Sequence, residues 1–189
     1  MGSLYSSKRL PHIPLEAFKT EFERDFLMVV NLLRDNPLSF QTFVKTYVEK
    51  GKFQGNPAAA NTLIRRLKSL GEIRAAEPSI AASNACYVNL TKNADTPQNI
   101  SGNGVGELKL VENQLVNENR CFDTYKRNWV GSPLELVLTF LLSFYERQPE
   151  TDSHALLSNN LKQIGCATLE SRSNGLVFQV IFIEARAPK

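Results

Sequence analysis

The chain has few of the residues that build metal sites and disulfide frameworks. Its 189 residues include only two histidines and three cysteines. Cys86, Cys121 and Cys166 are odd in number and widely spaced, which fits neither a disulfide framework nor a CxxC metal or redox motif. One of the two histidines, His12, stands in a proline-flanked segment, so a multi-histidine metal centre is excluded. We therefore expect reduced thiols, no metal and no cofactor.

Long hydrophobic runs and a strong charge imbalance are also missing. No apolar segment approaches the roughly 20 residues needed to cross a bilayer, and the N-terminus lacks the apolar core of a secretory signal. The net charge is only +3, and the clusters Arg65-Arg66-Lys68 and Lys126-Arg127 are too small for a nucleic-acid footprint. We therefore expect a soluble intracellular protein that binds no nucleic acid. The basic clusters are interpreted as solvated faces, one of which can meet an acidic partner surface.

What remains is the composition of one folded domain. At 189 residues, of which 42% are hydrophobic, the chain is long enough to bury about two thirds of the surface that its unfolded form exposes. Residues 1–14 are polar, basic and interrupted by Pro11 and Pro14, which predicts an extended N-terminal arm. Residues 15–189 are predicted to form a single domain.

Two helices are predicted at the start of this domain. Apolar residues at three- and four-residue steps predict the first helix over residues 15–36, with Glu23 among the polar residues of its other faces. Asn36 precedes a proline and therefore ends this helix. Pro37 is predicted to start the second helix, with Asn36 as its cap.

Two further helices are predicted by the same signals. Asn56 and Pro57 repeat the arrangement of cap and first-turn proline, and Gly71 is predicted to stop this third helix. Pro78 is predicted to open a fourth helix, over residues 78–93, whose small residues suit close packing.

The middle of the chain contains the least regular segment, and after it the strongest local signal for the start of a helix. Residues 94–131 carry several turn residues, and only residues 107–116 are a candidate for regular structure. Ser132 at the cap and Glu135 at the third helical position form a capping box. The helix that follows, over residues 134–145, is apolar around most of its circumference and is expected to lie between other elements.

The last part of the chain predicts strands. Residues 161–169 and 176–184 are rich in β-formers, and the Asn174-Gly175 pair between them tolerates the positive φ values of a hairpin turn. The last strand is apolar at both parities, so both of its faces are expected to be covered. Helices and a twice-covered sheet predict an α/β (α+β) fold, a three-layer α-β-α sandwich with a C-terminal β-hairpin.

Several short motifs resemble those of the CAP superfamily, also called SCP or pathogenesis-related-1-like proteins. Asn31 and Arg34 stand in the sequence NLLR followed by DNP, which is similar to the N-x-x-R motif and RxNP continuation of bacterial and protist members. His154 begins HALLSNN and Gly165 stands in LKQIGCA, which are similar to the HRxNILN and xxIGxA stretches of the family. The resemblance covers residues 20–186. It implies a divergent, intracellular, protist-like CAP domain in which Asn31, Arg34 and Gly165 are structural.

The family's cleft gathers two histidines and two glutamates that can hold a divalent metal. By resemblance, Asp152 falls nearest the place of the second histidine, with His154 two residues away. Glu107 or Glu118 stands for the family's glutamate, and the spacing does not decide between them. No histidine stands near residue 100, where the first one is expected. One imidazole with one or two carboxylates makes a poor zinc site, so we expect a degraded cleft without metal.

These residues give little support for a catalytic function. Ser153 and His154 are adjacent, but a nucleophile and its base need converging side chains and an orienting group. A pair of His154 with Cys121 or Cys166 has no better support. We predict no catalytic residue and interpret His154 as a rim or capping residue of the old cleft.

The N-terminus offers a competing interpretation. The sequence MGSLYS matches the N-myristoylation pattern M-G-x-x-x-[ST] at Gly2, and Lys8 and Arg9 follow it. A single acyl chain binds membranes only marginally without such basic help. The resemblance includes a Golgi-associated branch with myristoylated intracellular members. The alternative is a chance match in an ordinary polar terminus.

Three functional hypotheses follow. The leading one is a non-enzymatic structural or interaction module in a larger intracellular assembly, cytoskeletal or ciliary, with tubulin or axonemal proteins as partners. The second is a membrane-peripheral, N-myristoylated CAP protein that binds lipid or sterol through a Gly2 anchor. The third is a weak metal-dependent hydrolase that uses the residual cleft.

Overall fold

The computed structural model of the chain describes residue 13, residues 17–93, the backbone of residues 120–128, and residues 131–150, 154–171 and 175–185. Within these ranges the α-helices are α1 (Glu21–Asp35), α2 (Phe40–Glu49), α3 (Pro57–Ser69), α4 (Ile80–Asn93) and α5 (Pro133–Arg147). Short 3-10 helices cover Pro37–Ser39 and Ala155–Leu157. The strands are β1 (Glu77–Pro78), β2 (Arg120–Asn128), β3 (Leu161–Ser171) and β4 (Gly175–Ala185).

The four strands form one mixed sheet in the order β1-β3-β4-β2. β1 is parallel to β3, whereas β4 pairs antiparallel with both β3 and β2. The pairing of β3 with β4 closes at Ser171 opposite Gly175, and Gly175 has a φ of +67°, which favours glycine. The predicted C-terminal pair of antiparallel strands is confirmed, and the protein is of the α+β class.

Helices cover both faces of the sheet. Alternate side chains of β4 pack into two different cores, one on each face. Phe178, Val180 and Phe182 belong to a large core with α1, α2, α3 and α5. Val177, Ile181 and Ile183 belong to a smaller core with α4. Seven consecutive residues of β4 are buried, so the prediction that both of its faces are covered is confirmed.

Local capping signals set most helix starts. Asn36 ends α1 and its side chain accepts a hydrogen bond from the Ser39 amide, and Asn56 caps α3 through the Ala58 amide. Ser132 and Glu135 form the predicted capping box of α5. The predicted caps at Asn56 and Ser132 are confirmed because a cap needs only residues within one turn of itself. The second helix differs from the prediction, since Asn36 caps the 3-10 helix Pro37–Ser39 and α2 begins only at Phe40. The predicted burial of α5 is confirmed too, since most of its apolar residues are buried.

The first helix begins later than predicted, at Glu21 instead of residue 15. Thr20 caps it, and Glu23 completes a capping box by accepting a hydrogen bond from the Thr20 amide. This T-x-x-E signal was present in the sequence, and the apolar periodicity outweighed it. Ile13, the part of the predicted arm that the structure describes, packs against the large core.

Two other helix boundaries also differ from the prediction. Gly71 has no positive φ, and α3 ends because Leu70 turns to extended backbone at φ −89° and ψ 134°. Pro78 lies in β1 instead of opening α4. Ser79 is the residue before α4, and its hydroxyl accepts a hydrogen bond from the Ala82 amide at 3.3 Å, so the helix begins at Ile80.

β2 was not predicted. It lies within residues 94–131, where only residues 107–116 are a candidate for regular structure, and all nine of its residues pair with β4, from Arg120 opposite Ala185 to Asn128 opposite Val177. Its sequence, RCFDTYKRN, has no clean apolar alternation. Pairing with a long apolar neighbour therefore decides this strand, since β propensity depends strongly on context. The candidate segment 107–116 lies outside the described residues.

None of the helices in the described ranges is both long and apolar enough to cross a membrane.

Candidate functional site

His154 is buried, with 3% of its surface exposed. Its Nδ1 accepts a hydrogen bond from the Leu156 amide at 3.1 Å and so caps the 3-10 helix Ala155–Leu157. The ring also meets Phe144 edge to face at a centroid distance of 4.9 Å. Capping is one of the two roles that the sequence predicted. The other role, a place on the rim of the old cleft, stays a prediction because the remaining cleft residues lie outside the described ranges.

This environment disfavours the charged imidazole. Burial, followed by the positive charge of Arg147, lowers the pKa of His154 from 6.5 to about 3. A neutral ring at physiological pH suits the cap, because an amide needs an unprotonated nitrogen to accept its hydrogen bond. A group with this pKa is a weak proton acceptor near neutrality.

We expect His154 to make stability depend on pH. The folded-state pKa of about 3 lies below the unfolded value of 6.5, so between these values the unfolded chain binds a proton that the folded chain does not. Stability is therefore full above pH 6.5 and falls with decreasing pH, by at most about 1.4 kcal/mol per unit. Urea unfolding followed by circular dichroism at several pH values measures this slope.

His154→Asn provides the comparison because an asparagine oxygen can also cap a helix but does not titrate. The carboxylates titrate equally in both proteins, so the difference between the two curves isolates the imidazole. The difference should change steadily between pH 6.5 and pH 4. Parallel curves would show that His154 has an ordinary pKa in the folded protein.

The other residues of the predicted cleft cannot be placed beside His154. Asp152, Glu107 and Glu118 lie outside the described residues, as does Gly2. Within the ranges that the structure covers, no three histidine, cysteine, aspartate or glutamate side chains lie close enough to hold a metal ion.

Asn31 and Arg34 lie on α1 and fasten distant segments to it. The Asn31 side chain donates to the Ala76 carbonyl at 3.0 Å and accepts from the Ala76 amide at 2.8 Å, which holds the segment before β1. The guanidinium of Arg34 is completely buried. It donates to four backbone carbonyls, those of Arg74, Leu156, Ser158 and Leu161.

Arg34 remains charged although it is buried. Burial lowers its pKa from 12.5 to about 10, and the charge of Glu184 acts in the opposite direction. Carbonyl dipoles replace the water that a guanidinium normally holds, since all four acceptors are directed at it. The side chain therefore joins α1 to the segment before β1, to the 3-10 helix that His154 caps and to the start of β3.

Gly165 lies where β3 and α4 approach most closely. A β-carbon at this position would collide with the Ala82 side chain and with the backbone of Ser83. The Ser83 hydroxyl accepts a hydrogen bond from the Cys166 amide at 3.1 Å. Glycine is therefore required by the contact between the two backbones and not by a special φ value.

A buried carboxylate, which sequence reasoning placed on a polar face, joins α1 to β3. Glu23 is 1% exposed. Its Oε1 accepts from the Thr168 amide at 2.7 Å and the Thr168 hydroxyl at 2.8 Å, while its Oε2 accepts from the amides of Lys19 and Thr20. The capping-box motif in the sequence indicated the contacts of Glu23 with the backbone near the start of α1. The contact with Thr168, 145 positions away, had no local signal.

The two cysteines that the structure describes in full are free and buried. Burial, and next the charge of Glu23, raises the pKa of the Cys86 thiol and of the Cys166 thiol well above the usual value. Both are therefore protonated near neutrality, and a thiol is a far weaker nucleophile than a thiolate. The prediction of reduced thiols is confirmed for these two residues. The side chain of Cys121 lies outside the description.

A small cavity lies between the N-terminal end of α1, α4 and β3. Glu23, Ser83 and Cys166 are among its lining residues, and its volume is about 60 Å³. Lys19 lies beside it, with Nζ 3.0 Å from the centroid of the Tyr87 ring. Ligand pockets usually have volumes of about 300–1,000 Å³, so this cavity has room for water and not for a typical substrate.

The exposed side of α3 carries uncompensated positive charge. Arg65 and Lys68 are exposed and Arg66 is half-buried. α3 contains no acidic residue. No carboxylate in the described ranges forms an ion pair with any of the three. This face offers charge to a partner, whereas the polar groups described above are occupied within the fold.

Comparison with known proteins identifies no relative, since no family model, no curated protein and no solved structure matches the chain.

Proposed function

We propose that the chain is a divergent CAP-like domain, a three-layer α-β-α sandwich, that acts as a non-enzymatic interaction module. Its place is a larger intracellular assembly of cytoskeletal or ciliary type. Its partners are proteins, with tubulin and axonemal proteins as the first candidates. It needs no cofactor for this role.

One observation carries this proposal. The residues to which the CAP resemblance points, where the structure describes them, are occupied inside the fold. Arg34 donates to four backbone carbonyls, Asn31 bonds both ways with Ala76, and His154 caps a 3-10 helix. Side chains that make their hydrogen bonds within the fold are unavailable to a substrate, so we expect the function to depend on residues at the surface.

The two alternatives have less support. A hydrolase would need His154 as a base, and a buried imidazole with a pKa of about 3 suits that role poorly. A membrane anchor would depend on Gly2, and no described contact bears on it. Neither alternative is therefore proposed further.

Sedimentation of native cell extracts tests the proposal. We expect the protein to migrate in a fraction much heavier than the monomer, and purified protein to pellet with polymerised tubulin. The His154→Asn variant should behave like the wild type in both assays, because the described contacts of the imidazole lie within the fold.

The outcomes separate the parts of the proposal. Migration as a free monomer in extracts would overturn the assembly role. A heavy fraction without pelleting on polymerised tubulin would retain the assembly and exclude the microtubule as the binding partner. An acyl adduct on Gly2 in intact-mass analysis, together with liposome binding, would favour the membrane anchor instead.

A further inference from the structure

Two cations lie side by side on the outward face of α3. Arg65 and Lys68 are three residues apart, so they are neighbours on the helix surface, and both are exposed. The opposite face of the helix is buried through Ala59, Leu63 and Leu67. The two charges therefore lie on the face of α3 that points away from the core.

These cations have little to interact with. The polar contact that the structure gives Arg65 is a long one, 3.4 Å to the Thr62 hydroxyl. The Nε atom of the neighbouring Arg66 is buried and has no hydrogen-bond partner. Lys52, by contrast, pairs with Glu135 at 2.9 Å.

Folding does not account for this arrangement. Like charges at this spacing on a helix are mildly destabilising. The helix dipole favours cations only in the last turn, which holds Arg66 and Lys68 but not Arg65. An unpartnered buried Nε adds a further cost. The repulsion between the exposed cations is reduced when a negatively charged partner binds.

We propose that the α3 patch, defined by Arg65, Arg66 and Lys68, binds an acidic peptide segment of a protein partner. This inference rests on the proposed function and names its surface. Carboxylates suit the site because a guanidinium accepts them in a bidentate geometry. Three cations are too few for a duplex nucleic acid footprint and fewer than the clusters of four to eight that recognise anionic lipid.

Fluorescence anisotropy with a labelled peptide that alternates glutamate and glycine tests the patch. The double variant Arg65→Gln/Lys68→Gln should raise the dissociation constant about fivefold or more, and added salt should weaken binding of the wild type. Thermal unfolding of the variant should match that of the wild type or occur at a slightly higher temperature, since these side chains support no buried contact and their mutual repulsion is removed.

The matched control is Lys92→Glu, which changes the net charge by the same two units. Lys92 is also an exposed cation in the last turn of a helix, α4, and that helix belongs to the core on the opposite face of the sheet. It should bind the peptide like the wild type. Equal weakening in both variants would reduce the effect to net charge and overturn the patch, as would stronger binding of duplex DNA or anionic vesicles than of the peptide.

Failure of this inference can be told apart from failure of the proposed function. If the double variant loses the peptide and also leaves the heavy fraction of cell extracts, both are supported. If it stays in the heavy fraction, another surface holds the assembly together and the patch is overturned. If the wild type itself migrates as a free monomer, the proposed function fails.

Discussion

Replacing Arg34 by methionine is expected to lower the free energy of unfolding by about 3–5 kcal/mol. The substitution keeps an apolar stem of similar length but removes the donors for four backbone carbonyls. The bonds to the Leu156 and Leu161 carbonyls are buried, so these two carbonyls lose a partner that water does not replace, whereas the bonds to Arg74 and Ser158 are partly buried. Because domains are stable by only about 5–15 kcal/mol, urea unfolding followed by circular dichroism should detect the loss easily.

Two further variants separate the loss of the hydrogen bonds from the loss of the charge. Arg34→Lys keeps the charge but loses the planar fork, and it should fall between the wild type and Arg34→Met. Arg24→Met removes an arginine from the same helix that pairs only with its neighbour Asp25 at a partly exposed site, and it should cost at most about 1 kcal/mol. A loss below about 1 kcal/mol in Arg34→Met would mean that the carbonyls find other donors.

Replacing Gly165 by alanine is expected to cost about 2–3 kcal/mol. The added methyl group would occupy the space of Ala82 and of the Ser83 backbone. α4 cannot retreat freely, because Ser83 accepts the Cys166 amide and the Ser79 amide donates to the Ile164 carbonyl at 2.8 Å. The helix must therefore break these bonds or compress against β3.

Gly71→Ala is the matched substitution. Nothing lies within 4 Å of a β-carbon at Gly71, and its φ is not positive. Removing glycine at such a place restricts the unfolded chain, so we expect a gain of about 0.4–1 kcal/mol. Equal effects of the two substitutions on thermal unfolding would contradict the close approach of α4 to β3.

Local signals predicted the parts of the fold that local chemistry decides. The cap at Asn36, the proline at Pro57 and the capping box at Ser132 each act through residues within one turn, so the sequence is enough to place them. The β-formers of β3 and β4 likewise predicted two strands, and the apolar run of β4 predicted that both of its faces are covered. The start of α1 at Glu21 also had a local signal, the T-x-x-E capping box at Thr20, although the apolar periodicity predicts a start at residue 15.

Long-range pairing decided what the sequence could not show. β2 is a strand because it lies along β4, whose paired residues are 49 to 65 positions away. Glu23 is buried because Thr168 supplies donors from β3. His154 is predicted to cap or to line a rim with equal ease, and only the packing of Phe144 and Phe182 against its ring decides that it is enclosed.

In the candidate site, too, some features follow from the sequence alone and others from contacts between distant segments. By itself, the sequence determined the scarcity of histidine, the odd number of cysteines and the absence of acidic residues from α3, because these depend only on which residues are present. Only the tertiary structure decided that Arg34, Asn31 and Glu23 are occupied internally while Arg65 and Lys68 face outward. The physical reason is that burial and hydrogen bonding depend on partners brought from distant segments, and one sequence window does not contain them.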